Sequence, residues 1–444
     1  MTNLTISEGC AVMSVEARKK ELPFLVTWYL MGAKVHKNWK GKKDAIALEL
    51  NGDTKELALS DFDLLCGIAD KVSRRTSLDK VVSAKQALDL CRLAMLKMEY
   101  EKDPRSGLKG VVMLKDKGGC GYWRMILPAR YMDKTGLYID ITASSANFDC
   151  LAEYDTVYVQ RTHDWESYYM LEKLKAIGKR IVYDIDDDIF NITPDNPVFA
   201  VIGRDQQMAA VACMKLADVV VTTTDEMQSR LGSILEGKIP TIIPNALNPD
   251  DGWQPTPLTG SPDGIRRIFW QGSPTHAEDW MECAEAVDQV MEQTKDVRLV
   301  ILGFLPPIIQ SFLNKPYWRG RVEFMAFNDP ETYFQMLKHI RAEVGIAPLR
   351  NTVFNGGKSS IKFLEYTLAG MPTVASGCKP YSEVIEDGED GFLAYDTEDW
   401  FTYIMSCLND KGMRLGIIEK AREKARLGMD IRETAKMWRE VLIP

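Results

Sequence analysis

The stretch Asn351–Ser376, which reads NTVFNGGKSSIKFLEYTLAGMPTVAS, decides the fold. The pair Gly356-Gly357 precedes a predicted helix over about Lys358–Ala369, and Gly370–Pro372 supplies the expected stop. The run that follows, Thr373–Ser376, is short, apolar and rich in β-branched residues, as in a buried strand. A helix leading into such a strand is the building unit of a parallel α/β sheet.

One face of this predicted helix carries charged side chains. Lys358, Lys362 and Glu365 lie at positions i, i+4 and i+7, away from the apolar face. Glycines before a helix N-terminus let backbone N–H groups approach an anion, and the helix dipole adds positive potential there. The lysines could neutralise a diphosphate and Glu365 could accept hydrogen bonds from a ribose. A solvated face with i,i+4 charge support fits the same residues.

Outward from this stretch, short apolar runs alternate with longer helical patterns from about residue 108 onward. Near-continuous hydrophobicity predicts strands that helices cover on both faces. Twelve strands suit two sheets of about six each, so we predict two Rossmann-like domains that face a cleft at the carboxyl ends of their strands. The predicted strands are Gly110–Leu114, Tyr138–Thr142, Thr156–Gln160, Arg180–Asp184, Val219–Thr223, Thr241–Pro244, Arg267–Gln271, Arg298–Leu302, Val322–Ala326, Val344–Pro348, Thr373–Ser376 and Phe392–Tyr395.

The domain limits follow from composition. Residues 249–264 are rich in Pro, Asp and Gly, which predicts a linker between an amino-terminal domain at 106–248 and a carboxyl-terminal domain at 265–428. Residues 429–444 predict a terminal helix (Met429–Leu442) that crosses back to the amino-terminal domain. Residues 1–105 do not follow the βα rhythm and predict a small α+β appendage of unknown role.

Within this appendage, Ala45–Leu50 and Thr54–Leu59 alternate apolar and polar residues around Asn51-Gly52, which predicts a hairpin. Lys80–Glu99 has helical periodicity. The stretch Lys34–Lys43, KVHKNWKGKK, is basic and contains an aromatic residue. It could bind nucleic acid, an anionic glycan or a membrane surface, or it could be a solvated turn.

Composition narrows the class of protein. The 444 residues carry a formal net charge of −8, which argues against a whole-protein role in binding polyanions. The nine cysteines include no CxxC pair, so we expect neither a disulfide framework nor a zinc site. We find no secretory signal and no apolar stretch long enough for a transmembrane helix, and we predict a cytoplasmic protein. Peripheral contact with a membrane stays open.

The run Glu365–Val374, EYTLAGMPTV, resembles the nucleotide-sugar motif of glycosyltransferase family 4. The resemblance extends over about residues 108–442 and implies the two-domain GT-B architecture. It also implies that Glu365 binds the ribose of the donor and that Lys358 and Lys362 bind its phosphates. The family carries a second glutamate eight positions upstream, where this chain has Gly357. We place Gly357 at the donor site, without a side chain to contact the sugar.

Two further stretches resemble loops of the same enzymes. Ile268–Trp280, IFWQGSPTHAEDW, is similar to the first βα unit of their carboxyl-terminal domain. Gly272 would approach the diphosphate, Ser273 or Thr275 would cap the following helix, and His276 would contact the donor or serve a structural role. Lys117–Arg130, KGGCGYWRMILPAR, is similar to their glycine-rich first loop.

In that first loop, Gly119 and Gly121 would lie near the donor phosphates, and Tyr122–Arg124 would open a helix. The GxGxxG spacing of NAD-binding loops is not met. The pair Pro348-Leu349, which closes the strand at Val344–Pro348, would shape the nucleobase end of the cleft.

Polar side chains follow two strands of the predicted amino-terminal domain. His163 lies in Gln160–Asp164, and Asp186 and Asp187 lie in Asp184–Asp188. Because both runs come after strands, we expect them on the rim of the cleft, where they are candidates for acceptor binding or proton handling. The carboxylates could instead bind a metal or belong to a solvated loop. The resemblance implies catalysis without a metal.

We therefore expect a glycosyltransferase that moves a sugar from a nucleoside-diphosphate-sugar donor, without a further cofactor and with retention of configuration. The acceptor could be a saccharide, a protein, a lipid or a modified DNA base. DNA has only the basic stretch at Lys34–Lys43 in its favour. The alternatives are a degenerate GT-B protein that binds a sugar nucleotide or a partner without turnover, and an epimerase with the same architecture.

Overall fold

The computed structural model describes residues 34–37, 45–50, 53–58, 63, 65–66, 108–114, 118–133, 137–143, 151–152, 154–250, 263–327 and 329–443. Two compact units make up the chain, the first from 1–114 and 134–157 and the second from 115–133 and 158–444. The predicted helix at Lys80–Glu99 and linker residues 251–262 lie outside the described residues. The domain limits drawn from the sequence stay predictions.

In the first unit, three strands form an antiparallel sheet: β1 (Lys34–Lys37), β2 (Ala45–Leu50) and β3 (Asp53–Ala58). Leu50 of β2 is opposite Asp53 of β3, which confirms the predicted hairpin pairing. Of the basic stretch, the residues described are those of β1. Strands β4 (Leu108–Leu114) and β5 (Leu137–Ala143) pair in parallel.

The second unit contains strands of two sheets. In one sheet, β6 (Thr156–Gln160) neighbours β7 (Arg180–Asp184), and β7, β8 (Val219–Thr222) and β9 (Thr241–Ile242) pair in parallel. The other sheet has the order β12-β11-β10-β13-β14-β15, and all its neighbours are parallel. Its strands are β10 (Arg266–Gly272), β11 (Val297–Gly303), β12 (Val322–Ala326), β13 (Val344–Ala347), β14 (Thr373–Ser376) and β15 (Phe392–Ala394).

Strand β10 shows why this second sheet is parallel and buried. Phe269 belongs to an apolar core on one face of the sheet, whereas Ile268 and Trp270 belong to a second core on the other face. Both faces are therefore covered, as the continuous hydrophobicity of the sequence predicts. The first strand lies at the centre and the order reverses there, which is the arrangement that opens a ligand crevice at the carboxyl ends. The predicted parallel α/β architecture is confirmed.

The helices of the second unit fill the connections between its strands. A helical segment after β4 consists of α1 (Gly119–Gly121), a π-helical turn (Tyr122–Ile126) and α2 (Leu127–Tyr131). The others are α3 (Trp165–Ala176), α4 (Arg204–Leu216), α5 (Asp225–Ile234), α6 (Ala284–Gln293), α7 (Pro307–Phe312), α8 (Pro330–His339), α9 (Val353–Gly356), α10 (Ile361–Ala369), α11 (Tyr381–Val384), α12 (Thr397–Asn409), α13 (Lys411–Gly428) and α14 (Ile431–Leu442).

The helix predicted at Lys358–Ala369 begins later than expected. The structure has a short α9 ahead of it, capped by the Thr352 side chain, and α10 starts at Ile361. The short helix α9 ends at Gly356, and Gly357 is its C-cap residue. Lys358 therefore lies in the loop before α10 and not on its first turn. Gly370, with a φ of 81°, ends α10 in the left-handed region, which confirms the predicted stop.

The terminal helix α14 packs on the helical segment at 119–131 and on β6 and β7. The Trp438 ring lies 5.5 Å from the Tyr158 ring, and the Arg124 guanidinium lies 5.0 Å from Trp438. Arg180 donates a hydrogen bond to the Val441 carbonyl. The helix begins at Ile431, two residues later than predicted, after the cap residue Asp430. Within the described parts of the chain, we find no helix with the length and apolar character needed to cross a bilayer.

Candidate functional site

A cavity of about 480 Å³ lies within the second unit. It opens at the carboxyl ends of the strands, since its walls come from the segments that follow β7, β9, β10, β11, β12 and β13. The helical segment after β4 and the first turns of α10 complete it. The lining includes most of the candidate residues from the sequence: Gly119, Asp186, Asp187, Gly272, Ser273, His276, Lys358, Lys362 and Glu365.

Lys362 and Glu365 are buried in the wall of this cavity. Lys362 is 6% exposed and Glu365 is 1% exposed, so this part of the charged helix face is not the solvated surface that the sequence left open. The Gln271 side-chain amide donates a hydrogen bond of 2.7 Å to Glu365. Burial raises the pKa of Glu365 to about 7, although Lys362 opposes the shift. Burial and the nearby Lys358 lower the pKa of Lys362 to about 8.

Aromatic side chains form the wall of the cavity beside Glu365. Tyr333 and Phe334 of α8 contact each other at 5.2 Å, and Trp123 meets Phe334 edge-on at 5.3 Å. The buried Tyr333 hydroxyl interacts with the Glu365 carboxyl group and lowers its pKa, against the effect of burial. Phe304 and Phe327 extend the aromatic wall.

Four charged residues form a network at the cavity. The Arg161 guanidinium lies 3.0 Å from Asp187 and 3.4 Å from Asp186, and the Lys358 ammonium lies 3.3 Å from Asp187. Burial would raise the pKa of Asp187, but Lys358 and Arg161 outweigh it and the net shift is downward. Burial and repulsion by Asp187 raise the pKa of Asp186. Arg161 has a φ of 47°, a conformation uncommon outside glycine.

Three groups in this region could ligate a metal. One potential ligand atom each of Cys120, Asp186 and Asp187 lies within 4.8 Å of the others. However, the cationic groups of Arg161 and Lys358 already contact these carboxylates, and a divalent cation would have to displace or repel them. The cluster therefore fits an ion-pair network better than a metal site.

His276 is linked to the buried Asp279. The His276 Nδ1 atom lies 2.8 Å from the Asp279 carboxylate, and the other oxygen of Asp279 accepts hydrogen bonds from the Arg350 backbone and the Asn355 amide, both at 3.0 Å. Burial, Lys362 and Lys358 lower the pKa of His276 to about 4, against the pull of Asp279. The imidazole is therefore neutral at neutral pH.

The predicted cap at the start of the Ser273 loop is wrong. Ser273 holds the cap position of a single 3₁₀ turn (Pro274–His276), but its hydroxyl bonds Thr275 at 2.7 Å and caps no backbone N–H. Gly272 has a packing role as well, because a Cβ atom there would lie 2.5 Å from the Trp270 ring.

Three predicted site residues are not among those that line the cavity. Gly121 is buried in the helical segment, and the His163 ring contacts the Arg161 carbonyl at 2.7 Å. Gly357 is buried beside Met227, and its carbonyl accepts a hydrogen bond from Thr224 at 3.3 Å. The functional roles assigned to these residues stay predictions.

The structure adds residues that the sequence did not single out. Arg161 forms ion pairs with Asp186 and Asp187. Asp279 contacts the His276 ring, and Gln271 donates a hydrogen bond to Glu365. Asp279 follows His276 by three residues, a spacing that places both on one helical face and could have suggested the pair. Asn245 also lines the cavity and donates a hydrogen bond of 3.0 Å to Ser359.

Comparison with known proteins agrees with this architecture. Residues 266–410 match the family described as Glycosyl transferases group 1. A comparison with curated proteins found no match. Among solved structures, HepE from Anabaena, in complex with UDP and glucose, is similar with a TM-score of 0.57 and 14% identity, over 76% of this chain and 99% of HepE.

Two other solved structures share the fold. Sucrose-phosphate synthase from Thermosynechococcus elongatus has a TM-score of 0.56 and 14% identity, over 75% of this chain and 98% of its own. The lipopolysaccharide outer core galactosyltransferase WaaB, in its apo form, has a TM-score of 0.50 and 12% identity, over 75% and 98% of the two chains. At these identities the likeness shows the fold alone. The chain thus has the GT-B fold, and its residues 266–410 match the glycosyl transferases group 1 family.

Proposed function

We propose that this protein transfers a sugar from a nucleoside-diphosphate-sugar donor to an acceptor hydroxyl. The observation that carries the proposal is the pair of lysines, Lys358 and Lys362, beside the buried Glu365 in one cavity. A buried carboxylate and two cations at the N-terminal end of α10 can hold a hydroxyl-bearing group and a diphosphate side by side. The family of residues 266–410 supports the same reaction.

The cavity suggests how a donor would lie. Glu365 is assigned to the ribose because an ionised carboxylate accepts hydrogen bonds from two hydroxyls. The lysines are assigned to the diphosphate, and the aromatic wall of Trp123, Tyr333 and Phe334 supplies apolar surface for the flat nucleobase. HepE has been crystallised with UDP-glucose, which supports a donor of this class for the present chain.

We include retention of configuration in the proposal. Asp187 is paired with Lys358 and Arg161, and its lowered pKa makes it a weak proton acceptor. The acceptor proton would then pass to an oxygen of the leaving diphosphate as the bond from C1 to that diphosphate breaks and the bond from C1 to the acceptor oxygen forms. Both events would occur on one face of the sugar. Lys358 and Lys362 would stabilise the charge on the leaving group, without a metal.

The acceptor class stays open within this proposal. A saccharide, protein or lipid hydroxyl is favoured over a modified DNA base, because the formal net charge of −8 opposes binding to a polyanion. Within the basic stretch, Lys34 and Lys37 are described as exposed residues of β1, and they are compatible with a local anionic contact.

The test is a screen of UDP- and GDP-sugars for hydrolysis and transfer, with calorimetry for UDP and GDP. We expect one nucleotide to bind and its sugar donor to be hydrolysed or transferred, with an α-linked donor giving an α-linked product by NMR. Lys358→Ala and Glu365→Ala should each lower kcat/KM at least tenfold, since each removes a charged contact. Lys436→Ala, on an exposed face of α14, is the matched control.

Three results would contradict the proposal in different ways. Unchanged turnover in both site variants would overturn the site assignment. Nucleotide binding without hydrolysis or transfer for any donor would favour a protein that binds a sugar nucleotide without catalysis. Conversion of the donor to an isomer without an acceptor would favour an epimerase.

A further inference from the structure

The carboxylate of Asp279 lies behind the cavity wall and is not among the groups that line the cavity, but it contacts His276, which does line it. Asp279 is 3% exposed, whereas His276 lines the cavity and its side chain is 15% exposed. A residue in this position cannot touch a substrate, but it can decide what His276 presents to one.

Only the ionised form of the Asp279 carboxyl group fits all of its contacts. One oxygen already accepts hydrogen bonds from the Arg350 backbone N–H and the Asn355 side-chain amide. Both groups are donors, so this oxygen is an acceptor, and the His276 contact and these hydrogen bonds lower the carboxyl pKa against the effect of burial. An ionised carboxylate only accepts hydrogen bonds, so the contact of its other oxygen with Nδ1 at 2.8 Å requires a hydrogen on Nδ1.

The charges around His276 set the state of its other nitrogen. Lys358 and Lys362 lie on the cavity side, Asp279 lies on the buried side, and Asp187 lies across the cavity. The two lysines and burial oppose a second proton on the ring, so Nε2 carries a lone pair. A lone pair repels a phosphate oxygen and attracts a hydroxyl. His276 therefore differs from the adjacent lysines in the kind of group that it can bind.

We propose, on the basis of the proposed function, that Asp279 is a positioning residue that fixes His276 in the tautomer with hydrogen on Nδ1, so that Nε2 accepts a hydrogen bond from a hydroxyl of the donor sugar. The location supports the sugar over the ribose. His276 interacts with Lys362 and Lys358, which are assigned to the diphosphate, and with Asp187. Tyr333 interacts with Glu365, which is assigned to the ribose. A sugar that lacks this hydroxyl, or carries it in the wrong orientation, leaves Nε2 unpaired and binds more weakly.

The tautomer can be measured without any ligand. The 444-residue chain contains four histidines, and selective ¹⁵N-histidine labelling with long-range ¹H–¹⁵N correlation reports the protonation of each ring nitrogen. The His276 signals are assigned by their loss in His276→Gln. We expect a neutral ring with hydrogen on Nδ1 between about pH 6 and 8, since its pKa is about 4. A hydrogen on Nε2, or an imidazolium in that range, overturns the assignment.

The second measurement compares UDP with UDP-glucose, and GDP with GDP-mannose, by calorimetry. In His276→Phe, which keeps a planar ring without an acceptor, we expect nucleotide affinity within about twofold of wild type. The ratio of the affinity for the sugar nucleotide to the affinity for the nucleotide should fall about three- to tenfold, as expected for the loss of one hydrogen bond. His276→Gln and Asp279→Asn should fall between wild type and His276→Phe, and His339→Gln on the exposed end of α8 should match wild type.

The two measurements separate the possible failures. His276→Phe could reduce the affinity for the nucleotide and for the sugar nucleotide equally. That result would mean that His276 supports the phosphate site or the fold, and it would overturn the proposed hydroxyl contact. If wild-type protein binds none of the four ligands, the proposed function and the hydroxyl contact both fail. A hydrogen on Nδ1 that is lost or shifted in Asp279→Asn would still confirm Asp279 as the positioning residue.

Discussion

The Lys358 ammonium group lies 3.3 Å from the Asp187 carboxylate, and the two residues come from the loops that face each other across the cavity. Lys358 precedes α10 and Asp187 follows β7. The same lysine is assigned to the donor diphosphate, so Asp187 and the diphosphate compete for it. Donor binding would replace this ion pair by contacts of the lysine with phosphate.

This competition predicts that removal of the Asp187 charge strengthens nucleotide binding. In Asp187→Asn, Lys358 and Arg161 lose a bound anion, and the local potential becomes more positive. We expect the Kd of UDP or GDP, measured by calorimetry, to fall about three- to tenfold, equivalent to about 0.7–1.4 kcal/mol for a partly exposed pair. Asp195→Asn, which removes an exposed carboxylate paired with Arg350, is the control. A weaker Kd in Asp187→Asn would show that Asp187 supports the donor site.

The pKa of Lys362, about 8, predicts a loss of donor binding at alkaline pH. The lysine is cationic below this pKa and neutral above it, so the affinity for a diphosphate should fall as the pH rises above about 8. Bound phosphate favours the charged form and moves this fall to higher pH in the complex. The guanidinium of Lys362→Arg stays charged. Calorimetry between pH 8 and 10 should therefore show an alkaline fall in affinity for the wild type and no such fall for the variant.

The acid side of the same profile depends on Glu365, whose pKa is about 7. The carboxyl group is protonated below that pH and accepts fewer hydrogen bonds, so nucleoside diphosphate affinity should decline as the pH falls from 8 to 6. Glu365→Gln should remove the acid limb and bind more weakly at pH 8. Because Lys362 and Glu365 interact, the two limbs report apparent values of the pair. An unchanged acid limb in Glu365→Gln would assign it to another group.

A buried ion pair holds the helical segment at 119–131 in place. Arg124 and Asp184 are both 0% exposed and lie 2.8 Å apart, and Arg124 also donates to the Ile243 carbonyl and the Asn245 side chain. Arg124→Met leaves the Asp184 charge buried without its main partner. We expect the free energy of unfolding in denaturant to fall by about 3–5 kcal/mol.

The control for this stability prediction is Lys436→Ala. Lys436 and Glu433 form an ion pair on the surface of α14, with side chains 67% and 69% exposed. Such a pair contributes about 0–1 kcal/mol. A similar loss of stability in Arg124→Met and Lys436→Ala would contradict the structural role of the buried pair.

Sequence reasoning predicted the parts of this structure that depend on local pattern. The twelve strands from β4 to β15 and the stop at Gly370 follow from hydrophobic runs and turn residues, which are local properties of the chain. The sequence did not predict the burial of Lys362 and Glu365. A charged helix face is expected to be solvated unless the residues that pack against it are known. Asp279 and Arg161 were missed for the same reason: their roles depend on contacts that only the folded chain creates.

Gly357 provides a final test, because the sequence and the structure suggest different reasons for it. By resemblance, a glutamate is expected there to contact the sugar, but the structure buries this position beside α5. A Cβ atom at Gly357 would lie 2.8 Å from the Met227 sulfur and 3.2 Å from its Cγ. Gly357→Ala therefore forces Met227 to move, and we expect a loss of about 1–3 kcal/mol in unfolding free energy. Gly357→Glu should be less stable still and should not improve donor turnover.

The matched control is Gly232 in α5, where an added Cβ atom would have no neighbour within 4 Å. Gly232→Ala should stabilise the protein by up to about 1 kcal/mol, since alanine loses less backbone entropy in a helix. Both substitutions add one methyl group. If the unfolding free energy falls in Gly357→Ala and rises in Gly232→Ala, the contact with Met227 accounts for the difference. Higher turnover in Gly357→Glu without loss of stability would instead mean that the α9–α10 loop can turn this position toward the cavity. His276 would then share the donor sugar with that carboxylate.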